Sequence, residues 1–148
     1  MTSFGFSPSD IGNVVALAWS VYNAYTRSLG DFGVLSGEVL SLHAILLQAE
    51  EAFRKIPLSA QENERLKVLT DGSDALLKKL NAFLKEYESL ATSSRRTWDR
   101  LRWRSADVDE LRTRITVQVT YLNTFHTLVV RYVHFPFFRS GNQWGALM

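Results

Sequence analysis

The chain has 148 residues, no cysteine and a formal net charge of +2, with 46% hydrophobic and 22% charged residues. That length makes one domain able to bury a core without staples, and the missing cysteine excludes a disulfide framework or a thiolate metal site while permitting a reducing compartment. Residues 1–58 carry three Lys/Arg against five Asp/Glu and residues 59–148 carry fourteen against ten, a local basic region that does not argue for nucleic acid.

Met1–Ser7 is a short apolar lead with Phe4 and Phe6, and no basic residue precedes Arg27, so the charged region of a signal peptide is lacking. Ser7-Pro8-Ser9-Asp10 starts a helix: Ser7 can cap, Pro8 suits the first helical position and Asp10 can reach back. The helix should run to about Arg27. Its apolar residues, Ile11, Val14, Val15, Leu17, Ala18, Trp19, Val21, Tyr22 and Tyr25, wrap most of the circumference, and no charge lies between Asp10 and Arg27. A helix apolar nearly all round is either central in a bundle or meant for a bilayer. The run is shorter than the roughly 20 residues a bilayer requires, which leaves a core helix or conditional insertion after the bundle opens.

Leu29-Gly30-Asp31 reads as a turn, with Gly30 at the left-handed end of one helix and Asp31 capping the next. From Phe32 to Ile56 the apolar residues Phe32, Leu35, Val39, Leu42, Leu46, Ala49, Phe53 and Ile56 follow strict steps of three and four, a heptad seam that needs partners. Pro57 ends it. Ser59-Ala60-Gln61-Glu62 is a capping box opening a third helix. Its seam is Leu66, Leu69, Ser73, Leu76, Leu80, Phe83, Tyr87 and Leu90. Ser73 interrupts the stripe beside Gly72, where a local irregularity or a close approach is expected.

Ala91–Arg96 reads as a loop and Thr97–Trp103 as a short helical segment. A fourth helix starts at Ser105-Ala106-Asp107 and runs to about Tyr132 on the stripe Val108, Leu111, Ile115, Val119, Leu122, Phe125 and Val129. Thr116–Thr120 is rich in β-branched residues of low helix propensity, which the seam on either side overrides. Periodicity stops at His134. The fold expected is all-α: an antiparallel four-helix bundle over 1–133, with an extra helical segment near 97–103 and an irregular tail over 134–148.

Catalytic chemistry finds little support. His43, His126 and His134 are scattered and read as partly buried structural residues. No zinc-protease, nucleophile-elbow, phosphate-loop or EF-hand motif occurs, and the paired Glu-x-x-His sets of a di-iron site are absent. Glu50-Glu51 reads as a solvated face. No enzyme activity, cofactor or metal is expected. The cluster Arg95, Arg96, Arg100, Arg102, Arg104, Arg112 and Arg114, interleaved over its first part with Trp98 and Trp103, has two readings. One is a solvated loop with ion pairs to Asp99, Asp107, Asp109 and Glu110. The other is contact with anionic lipid, where each cation contributes about 1 kcal/mol and indole rings favour the headgroup region.

An ordered set of stretches carries a resemblance. It comprises Gly5-Phe6-Ser7 with Asp10-Ile11 and Leu17-Ala18-Trp19-x-Val21-Tyr22; Leu35-Ser36-Gly37-Glu38-Val39-x-Ser41-Leu42-His43; and Trp98-x-x-Leu101-x-Trp103 with Asp109-x-Leu111-x-x-Arg114-Ile115 and Leu122-Asn123-x-Phe125. Over roughly residues 4–126 this resembles the fungal HeLo-like domains found ahead of STAND-type NTPases. The resemblance implies a non-enzymatic effector or signalling module of programmed cell death, heterokaryon incompatibility or innate immunity. Such a module is cytoplasmic and recruited to the plasma membrane, and it self-associates so that an N-terminal segment targets lipid. Here that segment would use Phe4, Phe6, Ile11, Val14, Val15, Leu17, Ala18, Trp19, Val21 and Tyr22. Self-association, membrane lipid and a downstream nucleotide-binding domain are the implied partners; nucleic acid is not. The 148 residues depart from the family in containing no nucleotide-binding domain and no amyloid motif, as expected of either an excised domain or a free-standing one. The competing reading is a protein–protein adaptor that recruits a partner without touching lipid; it expects a stably buried first helix and an exposed apolar patch between helices.

Overall fold

The computed structural model describes residues 8–27, 32–89 and 106–134. Those residues form four helices and no strand: α1 (Pro8–Thr26), α2 (Phe32–Lys55), α3 (Ala60–Ser89) and α4 (Ala106–His134). The expected turn at 29–31, the segment near 97–103 and the tail beyond His134 lie outside the described residues.

Local chemistry sets the helix ends. At the start of α3 the capping box closes in both directions. The Glu62 backbone N–H donates to Ser59 Oγ at 3.1 Å, and the Ser59 N–H donates to Glu62 Oε1 at 2.8 Å. Two otherwise unpaired donors are thereby satisfied. α2 ends before Pro57, with Arg54 and Lys55 in its last turn, where cations complement the negative end of the helix dipole. α4 opens with Asp107 and Asp109, the complementary arrangement.

Each of α1 and α4 packs on both α2 and α3. α1 and α4 therefore stand at opposite corners, as do α2 and α3. Named contacts give the directions. Tyr25 meets Leu80, so α1 and α3 are parallel. Gly12 meets Glu50, so α1 and α2 are antiparallel. Arg112 reaches Glu38, so α2 and α4 are parallel. The chain thus reverses direction at each connection. The connection from α2 to α3 runs diagonally across the bundle.

The α2 seam is buried over Leu35, Val39, Leu42, Leu46, Ala49 and Phe53, joined by Ile45; Ile56 is half-buried, and the Phe32 side chain lies outside the described residues. α4 buries Val108, Leu111, Ile115, Leu122, Phe125 and Val129, with Val119 half-buried. α3 departs from expectation. Leu66, Ser73, Leu76 and Leu80 of the expected seam are buried, and Thr70, Leu77 and Leu84 are buried beside them, while Leu69 and Phe83 are only half-buried and pack on the flank. The side chains of Tyr87 and Leu90 lie outside the described residues. The buried set of α3 therefore spans two adjacent three-four lines that share Leu66, Ser73 and Leu80, an apolar face wider than one seam.

Polar groups inside this core are paired, as burial demands. Ser73 Oγ donates to the Leu69 carbonyl at 2.9 Å, and Thr70 Oγ1 donates to the Leu66 carbonyl at 2.8 Å. Gln118 Nε2 reaches across from α4 to the Leu69 carbonyl at 2.6 Å and to Ser73 Oγ at 3.1 Å. α3 continues unbroken past Gly72. There the Gln118 amide lies so close that an added Cβ would stand 3.2 Å from Nε2. At the other end of the bundle, Phe53 and Phe125 pack edge to face with ring centroids 5.6 Å apart, a favoured aromatic geometry.

Candidate functional site

The residues expected to target lipid divide between core and surface. Ile11, Val14, Ala18 and Val21 are buried, with Tyr25 continuing the line at steps of three and four. Val15, Leu17 and Tyr22 are half-buried and pack against that core. α1 therefore occupies a corner rather than the centre. It exposes Asn13, Ala16 and Ser20, along with Trp19 at 48%. Trp19 rests on Tyr22 and on His43 of α2, with centroids 5.3 and 5.2 Å apart. Phe4 and Phe6 lie outside the described residues, as do Arg95, Arg96, Arg100, Arg102 and Arg104. Among the described residues, no helix is long and apolar enough to cross a membrane.

The remaining polar candidates sit in structural surroundings. His43 and His126 are half-buried. Burial holds both imidazoles below their ordinary pKa, because a charged ring is poorly solvated there. His126 stands beside Phe53. His134 ends α4 with its side chain outside the described residues. No group of three His, Asp or Glu able to hold a metal occurs among the described residues.

Glu50 corrects the reading of Glu50-Glu51 as a solvated face. Only Glu51 is exposed. The Glu50 side chain is 13% accessible, accepts from Arg54 Nη2 at 3.2 Å, and lies over Gly12 of α1. A Cβ at Gly12 would come within 2.5 Å of Glu50 Oε2. The glycine is thus the notch that lets α2 seat a carboxylate against α1.

A surface that seam reading did not single out lies between α3 and α4. Beside its core line, α3 carries an outward stripe at heptad spacing, Arg65, Val68, Gly72, Ala75 and Lys79. α4 carries another, Val117, Tyr121, Thr124 and Leu128. These apolar side chains face water: Val68 is 64% and Tyr121 57% exposed, and Val117 and Leu128 are also exposed. The two stripes enclose two hollows. One, of about 380 Å³, lies among Val68, Leu69, Tyr121 and Leu128 beside Glu64 and Arg65. The other, of about 450 Å³, lies among Gly72, Ala75, Leu76 and Val117 beside Lys79 and Arg114. Lone exposed apolar residues are ordinary, but contiguous ones mark contact surfaces. The sequence held a signal: α4 has no charged residue from Ile115 to Val130, which a helix with one wet face does not need.

The chain matches no family model, no curated protein and no solved structure.

Proposed function

We propose that this bundle is a non-enzymatic interaction module that recruits a protein partner through the outer groove of α3 and α4. The observation carrying this reading is the exposed double stripe around Val68 and Tyr121. α1 meanwhile keeps its own apolar face in the core. The groove offers what a helix-in-groove contact requires: Val117, Tyr121 and Leu128 at helical spacing along α4, facing Val68 and the small Gly72 and Ala75 of α3.

Lipid targeting by α1 must first meet the cost of exposing its buried side chains to water. Each large apolar side chain removed from water contributes about 1.5–3 kcal/mol. Releasing Ile11, Val14, Val21 and Tyr25 together would cost on the order of 6–12 kcal/mol, comparable with the whole stability of a typical domain. The HeLo-like effector mechanism, in which an N-terminal segment leaves to meet a membrane, therefore requires a trigger that opens the bundle.

Selection of displayed helical peptides against the folded protein, followed by amide chemical-shift mapping, tests the reading. Shifts confined to α3 and α4 are expected. A selection that yields no binder, or binders that map to other faces, overturns it. Co-sedimentation with anionic vesicles tests the rival: lipid binding accompanied by exchange of the α1 amides would move the assignment to a membrane effector.

A further inference from the structure

From the charges along the α3–α4 groove we infer the partner's chemistry and direction: an amphipathic helix of about four turns, lying parallel to α3, with Asp or Glu in its last turn. This inference rests on the groove being the recruiting surface. Arg65 and Lys79 stand 14 residues apart on α3, which is about 21 Å, or four turns, at the helical rise. Val68, Gly72 and Ala75 between them carry no charge, and neither does the facing stretch of α4 from Val117 to Leu128. The occupant's central turns must therefore be apolar on the buried side, spaced by three and four.

The two ends of the groove differ. One hollow is bordered by Glu64 and Arg65, of opposite sign, and the other by Lys79 and Arg114, both cationic. Lys79 has no carboxylate partner among the described residues. Arg114 holds Glu110 at 2.8 Å with both side chains about half exposed, a surface i,i+4 pair of little strength that a partner carboxylate can exchange. The C-terminal end of a docked helix carries partial negative charge. That end belongs at Lys79 and Arg114, and acidic residues in its last turn add to the match. The positive N-terminal end then falls beside Glu64. This orientation runs along α3 and against α4. A second copy presenting the same face would bring Lys79 and Arg114 of one chain against a face with the same cationic excess, so the groove's charge favours a different protein.

Three synthetic peptides of about 18 residues with one Leu/Ile stripe at three-four spacing serve as probes. One carries Glu in the last turn, one Lys in the last turn and one Glu in the first turn. The last-turn Glu peptide should bind about tenfold tighter than the last-turn Lys peptide, with the gap closing at high salt. A nitroxide on its C-terminus should broaden the Lys79 amide rather than that of Arg65. In the double variant Lys79→Glu and Arg114→Glu the preference should invert. Equal affinities, or broadening at Arg65, overturn the inference while leaving the groove reading intact. If no peptide shifts α3 or α4 amides, both fall. Sedimentation showing a dimer that Tyr121→Glu dissociates, and that the peptides cannot displace, assigns the groove to a second copy and overturns the inference.

Discussion

α1 and α4 stand at opposite corners, and each carries more apolar residues than one seam needs. α1 spends the excess inward: Val15, Leu17 and Tyr22 flank the buried line, and Trp19 lies down on Tyr22 and His43. α4 leaves its excess in water at Val117, Tyr121 and Leu128. Average hydrophobicity ranks α1 as the unusual helix, yet α1 exposes Trp19 alone among its large apolar side chains whereas α4 exposes three. The difference lies in the neighbours. α1 borders α2 across the rings of Trp19 and His43, whereas the outer edge of α4 borders α3 across Gly72 and Ala75, which are too small to cover it.

Substitutions separate the two corners. Val21→Asp buries an unpaired carboxylate in the core and should cost more than about 3 kcal/mol, read as a collapse of the urea midpoint. An unchanged midpoint would mean that α1 is not part of the core. Tyr25→Phe removes the 2.7 Å bond from its hydroxyl to the Leu80 carbonyl and should cost about 1 kcal/mol. Burial first, and then the nearby Glu88 carboxylate, raise the Tyr25 pKa in the folded state. Above about pH 10 the unfolded chain therefore releases a proton that the folded one retains. Stability from this group is present below pH 10 and lost as pH rises beyond it. Denaturation midpoints should fall more steeply above pH 10 in the wild type than in Tyr25→Phe.

Smaller effects fall at the notch and the groove. Gly12→Ala gains about 0.8–1 kcal/mol of helix propensity but displaces the Glu50 carboxylate from its seat. The gain should appear in full only when Glu50→Ala is also present, a non-additivity that a double-mutant cycle by denaturant titration measures. Tyr121→Glu, on the outer face of α4, should change stability by no more than about 0.5 kcal/mol while abolishing peptide binding. A large loss of stability would place Tyr121 in the core network and remove the contrast between the two corners.

Much of this fold was legible in the residues. The α2 and α4 seams, the Ser59–Glu62 box and the stop at Pro57 each follow from short-range rules that tertiary packing left in place. The α3 register was not legible in full, because Leu69 and Phe83 fit a three-four line through Leu66, Ser73 and Leu80 as well as Thr70, Leu77 and Leu84 do. Only the positions of both neighbours decide between them. The seat of Glu50 is invisible to periodicity, which reports distance from a seam and not a glycine notch on the helix alongside. The groove escaped because its stripes are interrupted by Gly72, Ala75 and Thr124, small residues that seam reading passes over. The uncharged run from Ile115 to Val130 is its one trace in the sequence, and that run is equally what a helix buried on both sides would carry.

That run has a consequence for how the chain stays soluble. Thr116, Val117, Val119 and Thr120 favour extended backbone. They are helical here because Ile115 and Leu122 are buried on the inner face, while the Thr120 hydroxyl folds back on the Thr116 carbonyl at 2.8 Å. Once α4 detaches, a stretch with high strand propensity, no charge and no proline is released, which is the composition that pairs between chains. A lysine at exposed Thr120 should delay light scattering at intermediate urea without moving the unfolding midpoint; equal lag times in the two proteins would place the vulnerable segment elsewhere. A partner lying in the groove would then act as a guard as well as a ligand, holding α4 in its helical form against conversion to strand.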